Sequence, residues 1–457
     1  MRLGQLDSRA ASPLDHISDP SREAPDGHRP CEALTGQSCG QGFAALRLAA
    51  TAAPTALASG SSGDESDRSP RTLHPLAIDE RRRLDWLQAM RGVAALAVVM
   101  THARFQLQNT PMWGAADRWL GPAESGVDLF FVISGFVMVY TTRNDPGGLR
   151  SAKSFAIKRL SRVWPAYAVI TIVAALLNHG ASLFSDTTYQ CDILKSLFFI
   201  PTSYGQLYGR PILVQGWTLN FEMYFYLVMA VCLTARRLRW AAFCFWFFVT
   251  LLVAPILSSA PSLTSPFVAS ASDHYPLRYM AVITNPIIWE FVGGAFAGLA
   301  FSTRLRFGSP VLAWAALIAA ASIGLCFVFY PNYSHGPTQW GACYLLVVLT
   351  TSIASKDINL NIPRIFVTLG NISYTLYLIH LLAIDELTQL LRTYGLERQT
   401  HTLQYTAFAV VLSIVLATIC HRFLENTLAD DFKRLLQRLL DAPRRRTASE
   451  GGAGMPI

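Results

Sequence analysis

The sequence predicts an all-α, polytopic integral membrane protein with ten transmembrane helices and both termini in the cytoplasm. Three observations predict it. Of 457 residues, 52% are hydrophobic and 15% are charged, where soluble domains carry about 25% charged residues. Ten separate apolar stretches approach the roughly 20 residues that a helix needs to cross the hydrocarbon core. Lys and Arg gather in alternate loops, the pattern expected when the number of crossings is even.

Residues 1–79 stand outside this pattern. They are rich in Ser, Ala, Pro, Gly, Asp and Arg, and a stretch such as SGSSGDESDRSP (59–70) buries too little apolar area to offset its ordering entropy. They read as a disordered cytoplasmic tail, or as the result of a start assigned too far upstream, the true one lying near Arg81. No apolar h-region occurs in residues 1–30, so no signal peptide is expected. A membrane domain is expected over 80–428 and a basic cytoplasmic tail over 429–457.

The spans follow in order at 86–105, 125–142, 163–179, 212–234, 240–258, 280–301, 311–330, 338–354, 367–387 and 403–424. The first, second and ninth are the most polar, and the third is short. The apolar segment 193–200 is too short to cross and reads as interfacial. With Arg81, Arg82 and Arg83 in the cytoplasm, the later even loops place Arg143 to Arg162, Arg236 to Arg239, Arg304 with Arg306, and Lys356 with Arg364 on the same side. The basic C-terminus joins them. The other side receives few cations, among them Arg104, Lys195, Arg278 and Arg392. An odd count would put the basic C-terminus outside. Residues 432–440 read either as a basic amphipathic helix on anionic lipid or as a solvated tail.

The eight cysteines show no C-x-x-C and no ligand spacing, so neither a disulfide scaffold nor a zinc site is expected. No His/Asp/Glu grouping suggests another metal.

Ionisable residues inside a span are costly and tend to face a protein or water-filled interior. Arg91 and His102 lie eleven residues apart in the first span. At 100° and 1.5 Å per residue they share a face and stand about 16 Å apart along the axis. Asp128 opens the second span in GVDLFFVISGF (126–136). It would lie level with His102 in an antiparallel neighbour and could orient the imidazole as a general base, or it could cap the helix. Ser134 and Gly135 would let another helix approach closely. The fourth span carries WTLNFEMYFY (217–226). Trp217 suits an interfacial position, and Glu222, in the outer half, needs a partner from elsewhere. Glu290 in the sixth span raises the same question. GNISYTLYLIH (370–380) in the ninth span supplies Asn371, Ser373, Tyr374 and His380. Arg159 and Arg162 in KRLSRVWP (158–165) share a helix face at i, i+3 and would clamp phosphate, or they are ordinary positive-inside charge.

Together these motifs resemble the membrane acyltransferase-3 family over residues 84–424. Arg91 and His102 match its Arg-x10-His pair, GVDLFFVISGF its second-span signature, Arg159 and Arg162 its R-x-x-R, and ISYTLYLIH (372–380) its late ISYSLYLxH motif. WTLNFEMYFY departs from the common WSLSVEEQFY and is more similar to the exopolysaccharide-production (ExoZ-type) subgroup. Asn220 replaces a small polar residue, and Met223 removes a second acid. The resemblance implies a multi-pass enzyme of a bacterial inner membrane. Such an enzyme moves an acyl group, usually acetyl, from acetyl-CoA to a carbohydrate hydroxyl, with no permanently bound cofactor. It carries functional roles onto His102, Arg91, Arg159 and Arg162. Asp128 and Glu222 are added as catalytic candidates. Trp217, Asn220, Tyr374 and His380 are candidates for substrate binding, and Tyr374 or Asn371 for stabilising an oxyanion. The expected partners are acyl-CoA, a polysaccharide or lipid-linked oligosaccharide, the bilayer and polysaccharide-assembly proteins, with no nucleic acid. A transporter or flippase for a lipid-linked sugar, or an assembly partner of a polysaccharide synthase, are the rival readings.

Overall fold

The computed structural model describes residues 84–201, 211–258, 264–266, 278–331 and 333–450. The tail expected at 1–79 lies outside them. The described residues are helical, with no strand among them. The principal helices are α1 (Asp85–Ala103), α2 (Gly126–Thr142), α3 (Leu149–His179), α4 (Trp217–Thr234), α5 (Arg239–Phe248) and α6 (Ile288–Ser302). They are followed by α7 (Pro310–Val328), α8 (Trp340–Ala354), α9 (Arg364–Asn371), α10 (Ser373–Thr393), α11 (Leu403–His421) and α12 (Ala429–Glu450).

Each expected span coincides with helix, but the count differs. Among the described residues, seven helices are long and apolar enough to cross a membrane, or eight if the bent pair α9 and α10 forms one span. α1 is outside that set; it carries Asp85, Arg91 and His102. α8 has only 15 residues. The expected ninth span is not one rod, because α9 and α10 meet at 70°. Beside the break α9 packs tightly on α1, where a Cβ on Gly370 would lie 2.0 Å from the Gln88 carbonyl oxygen. The C-terminal segment is not a loose tail at its start, since Phe432 stacks on Trp164 at 5.0 Å between ring centroids.

α3 runs for 31 residues through Pro165. At 1.5 Å per residue it is about 46 Å long, well beyond a hydrocarbon core of about 30 Å. Its first half carries Arg159 and Arg162 on continuous helix rather than loop. Pro165 lies inside α3, where it cannot donate to the ladder, and the helix runs through it without a break. α5 continues through a π-turn, Val249–Val253, into Ala254–Leu257. That wider turn precedes Pro255, which cannot donate to the ladder.

Lipid tails are as apolar as leucine, so close packing rather than burial from water holds such helices together. Small residues set the closest crossings. A Cβ on Gly135 of α2 would lie 2.0 Å from the Phe291 carbonyl oxygen, and one on Gly294 of α6 would lie 1.9 Å from that of Val132. Gly135 thus permits the close approach expected of its place beside Ser134. Gly126 packs α2 against α1, where a Cβ would lie 2.6 Å from the Ala94 carbonyl oxygen. Aromatic rings fill the space behind this crossing, with Phe225 stacked on Phe291 at 3.7 Å and Phe243 against Phe247 at 4.7 Å. α7 turns apolar side chains such as Val311, Ile318 and Leu325 outward, the surface that lipid covers in a membrane.

Candidate active site

The helices line an open cavity of about 100 Å³, and its polar lining converges from five of them. Arg91 comes from α1, Ser134 from α2, Arg159 and Arg162 from α3, Glu222 and Tyr226 from α4, and Ser373, Tyr374 and Tyr377 from α10. Three guanidiniums and one carboxylate therefore share one space. Arg159 donates from Nη2 to the Thr141 hydroxyl at 2.6 Å and lies 5.5 Å over the Tyr226 ring. Arg91 donates to Gln88 Oε1 at 3.3 Å. Tyr226 donates its hydroxyl proton to Glu222. The partner that Glu222 needed is thus Tyr226, one turn along α4. The sequence carries that pairing only as an i, i+4 spacing.

The break before α10 matters to this cavity. The first turn of α10, Ser373 and Tyr374, lines it together with the arginines. A helix N-terminus carries about half a positive charge, and in α10 the Glu425 carboxylate already accepts from the Thr375 N–H at 3.1 Å. The Ser373 hydroxyl is fully buried and has no hydrogen-bond partner among the described residues. Tyr374 donates to the Val163 carbonyl oxygen at 2.7 Å, so its proton is already committed. Asn371, at the end of α9, is exposed.

His102 does not line the cavity. Its Nδ1 lies 2.7 Å from the Val98 carbonyl oxygen, and its ring is 5.0 Å from that of His380. His380 is fully buried, and its Nδ1 lies 2.8 Å from the Tyr377 carbonyl oxygen. The Tyr377 ring, which does line the cavity, is 6.1 Å from His380. One wall thus runs from the arginines through Tyr377 to the histidine pair.

One expectation is corrected. Asp128 does not orient His102. Its carboxylate accepts from His335 at 2.6 Å and from the Gly336 N–H at 3.2 Å, in the turn before α8. The reason is helical phase. Gly126 faces α1, and Asp128, two residues and about 200° further round, faces away from it. Glu222 lies in the arginine cavity. Trp217 is partly buried against Phe131 and Phe221, and Asn220 is buried; neither of the two lines the cavity. Sequence reasoning missed His335, Tyr226 and Tyr377. No local signal marks His335, because its partner is 207 residues away. No group of His, Cys, Asp and Glu suited to a metal ion occurs among the described residues.

Asp128 has no exposed surface and the His335 side chain is 13% exposed. Burial by itself would lower the His335 pKa most strongly, but the Asp128 carboxylate and, beyond it, Glu124 together raise it, and the net shift is upward. The pair therefore contributes fully below about pH 6.5, the unfolded histidine value. It loses that contribution as pH rises through the raised value. Breaking a buried pair typically costs about 3–5 kcal/mol. Asp128→Asn is expected to lower the melting temperature in detergent, most at about pH 6 and least at about pH 9. An unchanged melting temperature at the lower pH would show that the pair is not a stabilising contact.

An all-helical, multi-pass membrane protein with a charged cavity between its helices is the class that this fold and site define. Within that class the chain belongs to the acyltransferase-3 family, whose acyltransferase domain matches residues 84–422. It is 32% identical over 307 residues to the exopolysaccharide production protein ExoZ of Rhizobium meliloti (strain 1021), covering 63% of this chain and 84% of ExoZ. It is 27% identical over 376 residues to the acyltransferase MdmB of Streptomyces mycarofaciens, covering 75% of this chain and 91% of MdmB. A putative O-acetyltransferase of Staphylococcus aureus (strain COL) is 25% identical over 373 residues, which is 76% of this chain and 57% of that protein. No solved structure matches the chain. The protein is thus an acyltransferase, and the ExoZ likeness read from WTLNFEMYFY holds across most of the domain.

Proposed function

We propose that this protein transfers an acetyl group from acetyl-CoA to a hydroxyl of a cell-surface or exopolysaccharide sugar, from a site in the bacterial inner membrane. The observation that carries the reading is the convergence of Arg91, Arg159 and Arg162 on one cavity that also receives the N-terminus of α10. That set suits a donor bearing several phosphate charges, since guanidiniums bind phosphate bidentately. The names of ExoZ and of the staphylococcal relative support a saccharide product and O-acetylation. The arginines of α3 sit on the side where the positive-inside rule puts the cytoplasm, where acyl-CoA is made.

His102 serves as general base. Facing a carbonyl oxygen, its Nδ1 carries the proton, which leaves the Nε2 lone pair to accept one. The acceptor O–H breaks as the Nε2–H bond forms. The oxygen attacks the thioester carbonyl, the C–S bond then breaks, and the proton passes to the departing thiolate. Arg91 stands about 16 Å along α1 from His102, comparable to an extended pantetheine arm. Donor and acceptor thus enter from opposite ends.

Arg159→Ala combined with Arg162→Ala is expected to weaken acetyl-CoA binding by at least tenfold. The lost interactions are charge-assisted hydrogen bonds worth roughly 1.5–3 kcal/mol each. Calorimetry or equilibrium dialysis on protein in nanodiscs reads this directly. Unchanged donor affinity would remove the phosphate clamp. Absence of donor binding by the unaltered protein would overturn the enzyme reading and favour a flippase for a lipid-linked sugar.

A further inference from the structure

A second, larger cavity of about 770 Å³ opens where α2, α6 and α8 end, and no described residue lines both it and the arginine cavity. Four cations line it, Arg143, Arg304, Arg306 and Lys356, with no carboxylate among the described residues of its wall. Tyr140 and Phe301 supply an aromatic surface, their rings 5.9 Å apart. Arg143 lies 3.7 Å over the Tyr140 ring, and Lys356 Nζ lies 5.3 Å over that of Phe301. The positive-inside rule puts this end of the helices at the cytoplasmic face.

The loop after α6 is tied down from the end of α8. Lys356 donates to the Ala300, Thr303 and Leu305 carbonyl oxygens at 3.2, 3.0 and 3.0 Å, answering carbonyls left free at a helix C-terminus. Asp357 accepts from the Phe307 N–H at 2.8 Å and lies 3.7 Å from Arg306 Nε. Arg306 donates from Nη2 to the Lys356 carbonyl oxygen at 2.9 Å. Those contacts leave Arg304 out. It is exposed, and it has no polar partner among the described residues. Burial and, after it, the Arg306 charge push the Lys356 ammonium down, with Asp357 offsetting less, as a cation meeting excess positive charge should behave. Positive-inside charge requires only that a loop be basic. It requires neither a concave wall nor a loop fixed in one shape.

We infer that this cavity is a phosphate site that seats the headgroup of an anionic phospholipid, with Arg304 and Arg306 on the phosphate oxygens. Guanidinium forks match phosphate oxygens, and basic pockets between spanning helices at the cytoplasmic face suit phosphate headgroups. The volume lies within the usual range of ligand pockets. Because the loop is already fixed, binding has little ordering cost to meet. Phosphate is also carried by the nucleotide end of a coenzyme A thioester. The surroundings favour the lipid. Leu305, between the two arginines, is exposed, and so are Val311 and Leu312 where α7 begins. The mouth of the cavity therefore adjoins the apolar surface that acyl chains cover. The inference does not depend on the transfer reading above.

The test uses the full chain in nanodiscs of phosphatidylcholine, with and without phosphatidylglycerol. Native mass spectrometry of protein released from the mixed discs is expected to show retained phosphatidylglycerol. Arg304→Gln should lower that retention roughly fivefold, and Arg304→Gln combined with Arg306→Gln roughly 25-fold, the weight of one and of two cations near an anionic surface. Arg306 helps to hold the loop, so the single Arg304→Gln variant, which removes no such contact, decides the matter if the double variant fails to fold. Arg364→Gln, an exposed cation of the same side outside the cavity, should retain lipid as the wild type does. Equal losses in Arg304→Gln and Arg364→Gln would reduce the site to diffuse charge and overturn it. A second arm measures coenzyme A affinity in pure phosphatidylcholine discs, where Arg304→Gln is expected to match the wild type. Weakened coenzyme A binding with lipid retention unmoved would overturn the lipid and assign the phosphate site to the donor's nucleotide end. Retention and affinity both unmoved would overturn the site. Neither arm requires turnover, so a protein that transfers no acetyl but retains the lipid leaves the site standing.

Discussion

His102→Ala is expected to lower acetyl transfer by about 10²–10⁴-fold, the usual contribution of a positioned general base. Acetyl-CoA affinity should stay near that of the wild type. The split follows from where the structure puts the groups. The arginines and the N-terminus of α10 line the cavity, and His102 does not. Alanine also removes little that holds the fold, because the His102 side chain bonds within its own turn, to Val98. Radiolabel in carbohydrate from wild type but not from the variant, at equal donor binding, is the expected result. Full transfer by His102→Ala would remove it from catalysis, and loss of donor binding as well would place it in the donor site instead.

The second large effect is structural. Gly294→Val is expected to prevent recovery of monodisperse protein in detergent, and Gly294→Ala to lower its melting temperature strongly. A Cβ at this position would lie 1.9 Å from the Val132 carbonyl oxygen and 2.7 Å from its carbon. Those are backbone atoms, with no rotamer to escape into. Overpacking a core typically costs about 1–3 kcal/mol, and a rigid clash of this depth belongs at or above the top of that range. The same two helices meet reciprocally at Gly135. α2 supplies the Ser134 wall of the cavity, so the site should be lost with the crossing. Gly114→Ala, with nothing within 4 Å of the added carbon, is the matched control. A Gly294→Ala protein that melts with that control would show that α2 and α6 do not meet this closely.

Much of the site is legible in the sequence because spacing along one helix is local information. Arg159 and Arg162 at i, i+3, and Arg91 with His102 eleven residues apart, follow from 100° per residue alone. The family motifs then name the chemistry. The bend between α9 and α10 is not legible. The span 367–387 reads as one helix, and only the structure shows the 70° bend between α9 and α10, beside the close approach of Gly370 to Gln88 of α1.

Sequence alone thus determined the helical class, the family, the positions of the apolar segments and the identity of the charged residues that membrane burial makes expensive. Tertiary structure decided which of those charges meet. Asp128 is 207 residues from His335 and Tyr377 is 159 from Thr218, and pattern along the chain carries no record of such pairings. The phase of α2 is the clearest case. Gly126 had to face α1 for the helices to touch, which turned Asp128 away from His102 and left His380 to meet it. Helical periodicity sets the angle between two residues, but only the packing partner sets which way either of them points.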